Sequence, residues 1–187
     1  LWDEQQENIK VILSSEKIIK LTKEFVRTIN LVMPDIAVES ENLIKSMLNV
    51  NSEPNLILVA SHQLLVAQRI VTNMNLVVQP DNKTKKHIKM LFNDTRAFKN
   101  VLKGMLKGNN KLRISKVRNK NLRGKIEDLI FSFETVEELV TRVNENSIRL
   151  IKAHDATIQI LNNSDDILAS VNKLIEGYRS NTPQLKD

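Results

Sequence analysis

Apolar side chains recur every seven residues in two adjacent columns between residues 11 and 33, and this pattern limits the possible fold more than any other feature. A seven-residue repeat places side chains on one face of an α-helix, whereas a strand would show alternation. Residues 2–33 are therefore predicted to form one long helix whose apolar stripe contacts other helices. The two columns are Val11, Ile18, Phe25 and Val32, and Ile12, Ile19, Val26 and Met33.

Pro34 follows this helix and has no N–H to donate to the preceding turn. It is expected either to kink the first helix or to end it, with a shorter helix over about 35–49. Only four glycines and four prolines occur in 187 residues, which leaves few turns and argues against an all-β fold.

Apolar residues at helical spacing predict four further helices, over residues 55–79, 83–107, 118–144 and 148–178. Gln63 is expected to lie on the apolar face of its helix, and His154 in the core. The predicted fold class is all-α: an elongated antiparallel up-and-down bundle of five to six helices with long first and last helices. Pairing of the first and last helices would bring both chain ends to one side.

One domain is predicted over residues 1–180, with a C-terminal tail over 181–187. The chain has no cysteine, which excludes disulfides, thiolate metal sites and a cysteine nucleophile. No apolar run reaches the roughly 18 residues that a membrane helix needs. Because the chain begins at Leu1 and shows no signal peptide, it is expected to be a soluble piece of a longer protein.

No motif for catalysis or nucleotide binding is present, and the three histidines lack metal-ligand spacing. The sequence therefore predicts no enzyme activity, no catalytic residue, no metal site and no cofactor.

Positive charge is concentrated in one stretch. Residues 96–125 contain eleven Lys and Arg and no Asp or Glu, so the total net charge of +6 leaves −5 for the rest. This basic stretch is either a solvated face or a surface for an acidic partner. The candidate partner-binding residues are Lys99, Lys103, Lys107, Lys111, Arg113 and Lys116.

Two glycines interrupt the basic stretch. Gly108 precedes two asparagines and is expected just past the end of a helix, where positive φ costs glycine little. Gly104 is expected inside the helix, where its missing side chain would allow close approach of a neighbouring helix.

Arg69 lies in the most apolar predicted helix, with His62 and Asn73 along the same flank and Gln68 beside it. A guanidinium group has fixed donors that suit carboxylates and small anions, so Arg69, Gln68, His62 and Asn73 are candidate ligand-binding residues. A structural alternative is that Arg69 pairs with an acid on another helix. The acids considered are Glu39, Glu41, Asp94 and Glu134.

Three stretches of the sequence resemble the periplasmic domains of PilJ-type chemoreceptors of type IV pilus systems. They are "FKNVLKGMLKGNNKLRISKV", "IEDLIFSFETVEELV" and "SHQLLVAQRIVTNMNLVV", and the resemblance extends over about residues 1–180. It implies an all-helical sensor domain between two helices of an inner-membrane receptor.

The resemblance also implies function and partners. These receptors act in pilus-based twitching motility and surface sensing, as homodimers, with pilin as a proposed periplasmic partner. Their cytoplasmic parts control a histidine kinase through CheA- and CheW-like proteins. The alternative function, drawn from charge alone, is a helical module that binds nucleic acid or another anionic surface through residues 96–125. The absence of aromatic residues interleaved with the charges disfavours nucleic acid.

Overall fold

The computed structural model describes residues 2–181, and within them the chain forms five α-helices and one short 3₁₀ helix. This confirms the predicted all-α fold class. Residues 182–187, most of the predicted tail, lie outside the described part. The helices are α1 (Trp2–Asn49), α2 (Pro54–Val77), α3 (Thr84–Lys107), the 3₁₀ helix (Asn110–Leu112), α4 (Lys120–Glu145) and α5 (Ser147–Asn181).

Helix α1 runs without interruption through Pro34, so the expectation of a separate helix over 35–49 is wrong. Met33 and Ile36, on either side of the proline, are both buried in the core, while Pro34 itself is exposed. Burial of both neighbours in the same core holds the helix together although one backbone hydrogen bond is missing.

The second half of α1 forms a four-helix bundle with α2, α3 and α4. Helix α1 packs against α2 and α4, and α3 packs against the same two helices from the other side. Short connections make successive helices antiparallel, as in an up-and-down bundle. The Phe98 and Phe133 rings stack inside this core at 4.3 Å between centroids and join α3 to α4.

The predicted helical faces agree with the observed burial. The apolar residues at three- and four-residue spacing in α4 are all buried except Ile130, which is partly buried: Ile126, Leu129, Ile130, Phe133, Val136, Val140 and Val143. Gln63 is buried as expected, and its Nε2 donates to the Val59 carbonyl at 3.3 Å. His154 is also buried, as its position in the stripe of α5 predicted.

The first half of α1 and helix α5 pair beyond the bundle; we call this pair the stem. Helix α5 packs mainly on α1 and only slightly on α3 and α4. The buried line of α1 in the stem is polar, because Asn8, Ser15 and Thr22 occupy it. The apolar columns predicted from the sequence flank this line, and their members are partly buried except Met33, which is buried in the core of the bundle. Helices α1 and α5 pack against each other, as predicted for the first and last helices.

Candidate functional site

Arg69 forms a bidentate pair with Asp94 that joins α2 to α3. Its Nε lies 3.0 Å from Asp94 Oδ2 and its NH2 lies 2.6 Å from Oδ1. The Asp94 side chain is mostly buried, and its hydrogen bonds raise the pKa of the Arg69 guanidinium. The structure therefore contains the interhelical pair that was the structural alternative for Arg69.

The four candidate ligand residues do not converge on one pocket. Asn73 is buried, and its Nδ2 donates to the Arg69 carbonyl at 2.9 Å. His62 is exposed. Gln68 lies about a third of a turn away from Arg69 and lines a groove between α1 and α2 instead.

This α1–α2 groove has a volume of about 510 Å³ and lies beside Pro34. The buried residues Met33 and Ala67 contribute to its lining, and Glu41 is its one charged lining residue. Pro34 cannot donate to the carbonyl of Asn30, which also lines the groove. The groove therefore combines an apolar lining with acceptor groups.

Two buried histidines lie where the bundle meets the stem. Thr84 Oγ1 lies 2.8 Å from His154 Nδ1 and donates to the Asp81 carbonyl at 2.9 Å. His87 Nε2 lies 3.4 Å from Asp81 Oδ2. Burial lowers the pKa of His154, and the nearby carboxylates of Asp81 and Asp155 only partly oppose this effect.

The basic stretch is built on a well-fixed loop at the opposite end of the bundle, between α3 and α4. Asn109 and Ile114 exchange backbone hydrogen bonds of 2.8 and 2.9 Å. Arg123 donates to the Leu106 and Val117 carbonyls at 2.8 and 3.2 Å. We call this end of the molecule, which is formed by the α3–α4 loop and the adjoining ends of α3 and α4, the basic end.

Two glycines, Gly108 and Gly104, determine how α3 ends and how closely the following loop approaches it. Gly108 has φ of +83° and follows the last residue of α3, as predicted. A Cβ on Gly104 would lie 3.2 Å from Asn109 Cβ and 3.3 Å from Ile114 Cδ1. The close neighbour of Gly104 is thus the loop, and the expectation of a close neighbouring helix is wrong.

Lys99 pairs with Glu137 of α4 and is mostly buried, so its charge is neutralised. The other five candidate partner-binding residues are exposed and have no acidic partner within residues 2–181. Three more cations nearby also lack an acidic partner in this range; Arg118 and Lys120 are exposed, and Lys125 is partly buried. The full set of eight is Lys103, Lys107, Lys111, Arg113, Lys116, Arg118, Lys120 and Lys125.

A cleft opens at the basic end between the α1–α2 turn and the α3–α4 loop; we call it the tip cleft. Its volume is about 560 Å³. Lys116 and Arg118 border it on the loop side, and Ser52 and Glu53 on the turn side. The sequence placed Lys116 in a basic stretch, but no local pattern indicated that the α1–α2 turn would lie opposite it.

Neither a metal centre nor a membrane span is seen in the described part of the chain. Residues 2–181 contain no group of three or more His, Cys, Asp or Glu that could hold a metal ion. None of the helices in this range is long and apolar enough to cross a bilayer.

Two known proteins are similar to the chain over nearly its whole length. PilJ of Pseudomonas aeruginosa is 28% identical over 179 residues, which cover 96% of this chain and 26% of PilJ. AlkN of Alcanivorax borkumensis, a protein named for methyl-accepting chemotaxis, is 24% identical over 186 residues, which cover 99% of this chain and 28% of AlkN.

The chain thus corresponds to roughly a quarter of the length of each relative. No family model matches it. The similarity to PilJ that the sequence predicts is confirmed: the chain is all-helical within its described residues and is similar to one part of PilJ and one part of AlkN.

Proposed function

We propose that this chain is the periplasmic sensory domain of a PilJ-type chemoreceptor in the inner membrane. Binding at the domain would displace α1 relative to α5, and the two helices would carry the displacement to the membrane. The cytoplasmic part of the receptor would then control a histidine kinase pathway for twitching motility or surface sensing, through CheA- and CheW-like proteins. The stem carries this proposal, because the first and last helices of the described chain pack against each other there.

The two helices of the stem suit such transmission. Helix α1 spans 48 residues, so one rigid element runs from the basic end of the bundle to the far end of the stem. A ligand or partner shifts the equilibrium between two helix arrangements only if it binds them with different affinities. Sites that contact α1 together with a second helix meet this requirement most directly.

The stem also supports the proposal of a homodimer. Both amide atoms of Gln5 and the amide nitrogen of Asn8 are buried without a hydrogen-bond partner within the described residues. Unpaired buried amides are costly, and polar residues at helix interfaces commonly set register between helices. Helix α5 also exposes a row of apolar residues: Leu161, Leu168, Val171, Leu174 and Ile175.

Disulfide cross-linking in cells tests the dimeric receptor. Single cysteines at Leu161, Leu168 or Ile175 of the intact receptor should form cross-linked dimers, because the chain has no other cysteine in this region. The control is Phe131→Cys, since Phe131 is 76% exposed but lies on the bundle. A membrane-impermeant maleimide should label the same cysteines from the periplasm.

The signalling step is tested with the same variants. A cross-linked stem should alter twitching motility, and a reducing agent should reverse the effect. The receptor proposal would be abandoned if none of the three stem positions cross-links and the maleimide labels them only after the inner membrane is opened.

Two kinds of input fit the geometry. A small ligand in the α1–α2 groove would touch Gln68 and the segment of α1 around Pro34. A protein partner, with pilin as the proposed one, would meet the basic end. On the flank of α2, the candidate ligand-binding residues remain Arg69, His62 and Asn73. Arg69 would have to exchange Asp94 for the ligand.

The basic end supports the alternative function of binding nucleic acid or another anionic surface, because its eight cations have no acidic partner among the described residues. Titration of labelled duplex DNA and of purified pilin at two salt concentrations separates the two functions. DNA binding that salt abolishes, without pilin binding, would favour the alternative.

A further inference from the structure

The tip cleft is positively charged on one side and apolar at its base. Lys116 and Arg118 are exposed and have no acidic partner in residues 2–181. The buried side chains of Leu56, Val117 and Leu122 line the base. A cleft with this lining can hold a ligand that has an apolar group and negative charges side by side.

The surroundings strengthen the positive potential. The other six unpaired cations of the basic end lie along the same loop and the adjoining helix ends. The N-cap residues of α2 and α4, Glu53 and Asn119, both border the cleft, so two helix N-termini add positive partial charge. Glu53 is the one acidic residue that lines the cleft.

Hydrogen bonds within the chain hold the two sides of the cleft in position. Asn55 Nδ2 donates to the Arg113 carbonyl at 2.7 Å and ties the first turn of α2 to the loop. The Val117 amide donates to the Met105 carbonyl at 2.8 Å. A pre-formed site loses less conformational entropy when it takes up a ligand.

From these features we infer that the tip cleft binds an acidic peptide segment of a protein partner, with one apolar side chain on the base and carboxylates on Lys116 and Arg118. This deepens the proposed function, because it states how a protein partner would engage the basic end. The volume of about 560 Å³ suits one or two side chains of such a segment.

A peptide fits better than a membrane or a nucleic acid. Three of the four apolar lining residues, Leu56, Val117 and Leu122, are buried and only Val50 is exposed, whereas a lipid surface would need apolar side chains that protrude. Phe98 is the one aromatic residue between 96 and 125, and it is buried, so no ring is available to stack on bases.

Fluorescence anisotropy on the isolated chain provides the test. One fluorescein-labelled probe has a leucine and a phenylalanine flanked by glutamates, and a second has serines in place of the two apolar residues. The first should bind about tenfold more tightly, because only it can use the apolar base. The double variant K116E/R118E should weaken its binding by about tenfold or more.

A matched variant controls for net charge. Lys85 and Lys86 are exposed lysines near the start of α3, at the opposite end of the bundle, and K85E/K86E changes the total charge equally. This variant should retain most of the binding. Glu53→Gln should tighten it, because it removes the acid that lines the cleft. Far-UV circular dichroism verifies that each variant is folded.

Several results would overturn the inference. These are equal affinity for the two probes, equal weakening by the two double variants, and no probe binding at low salt. Tighter binding of phosphatidylglycerol vesicles or duplex DNA, lost in K116E/R118E, would assign the basic end to a membrane or a nucleic acid. Loss of the peptide site with successful cross-linking of the stem would leave the receptor proposal standing.

Discussion

Thr84 connects the bundle to the stem through a single hydroxyl group. This hydroxyl lies 2.9 Å from the Asp81 carbonyl and 2.8 Å from His154 Nδ1, so it links the start of α3 to α5. A second proton on the His154 ring would place a positive charge in a buried site. Burial lowers the pKa of His154 from its ordinary value of 6.5 for this reason.

The stability of the domain should therefore fall as the pH falls below neutrality. Since the pKa of His154 is lower in the folded state, the unfolded chain binds more protons, and this stabilisation is lost as pH drops through 6.5 towards the folded value. Urea unfolding between pH 8 and pH 5 should show a shallower fall for His154→Gln than for the wild type. The exposed His62→Gln serves as control, and an identical slope in all three proteins would contradict the prediction.

Gly108 and Gly124 should respond to alanine with opposite signs. Gly108 has φ of +83° and ψ of 147°, a conformation that costs other residues about 1–3 kcal/mol. Gly124 lies inside α4, and a Cβ there would meet no atom within 4 Å. Urea unfolding should show that Gly108→Ala is destabilising and that Gly124→Ala stabilises by up to about 1 kcal/mol. A stabilising Gly108→Ala would show that the loop can rearrange.

The sequence predicted only some of the features of the basic end. Positive φ at Gly108 follows from a local rule, since glycine commonly ends helices. The neutralisation of Lys99 by Glu137 does not, because the two residues are 38 positions apart on different helices. Charge patterning identified the stretch, and interhelical register selected which of its lysines remain unpaired.

At the scale of elements, packing keeps helix α1 continuous through Pro34. Proline in a helix interior costs about 3 kcal/mol relative to alanine, since it removes one hydrogen bond and its ring crowds the preceding turn. This local cost can be predicted from the sequence. The sequence could not compare this cost with the stabilisation that burial of Met33 and Ile36 in the core provides.

Pro34→Ala should accordingly stabilise the domain, by up to about 3 kcal/mol, because the new N–H can donate to the Asn30 carbonyl. Pro34 is exposed, so the substitution removes little buried surface. The free energy of unfolding in urea measures the effect. The control is Asp35→Ala, a substitution at the neighbouring exposed position. A destabilised Pro34→Ala would indicate that the ring contributes to the α1–α2 groove.

At the scale of the whole molecule, charge is distributed along the long axis. Eight exposed or partly exposed cations without acidic partners lie at the basic end, while the remainder of the chain outside residues 96–125 carries −5. Repulsion among these cations opposes folding at low ionic strength. Salt screens this repulsion, because the Debye length falls from about 30 Å at 0.01 M to about 8 Å at 0.15 M.

Added sodium chloride should therefore raise the free energy of unfolding. The double variant K103E/K107E should fold normally, and salt should raise its free energy of unfolding less than that of the wild type. The difference should be of the order of 1 kcal/mol. The control K17E/K23E makes the same charge change on exposed positions of α1, next to Glu16 and Glu24. Urea unfolding at two salt concentrations gives the comparison. An unchanged salt gain in K103E/K107E would show that the basic end is already screened.

The sequence by itself determined the helices, their apolar faces and the concentration of positive charge, because each depends on the spacing of residues within one segment. Only the tertiary structure decided that α1 continues through Pro34, that Asp94 is the partner of Arg69, and that the α1–α2 turn lies opposite Lys116 to form a cleft. These features depend on the rotation and register of helices relative to one another. Many side chains set those quantities together through packing, and no local pattern records them.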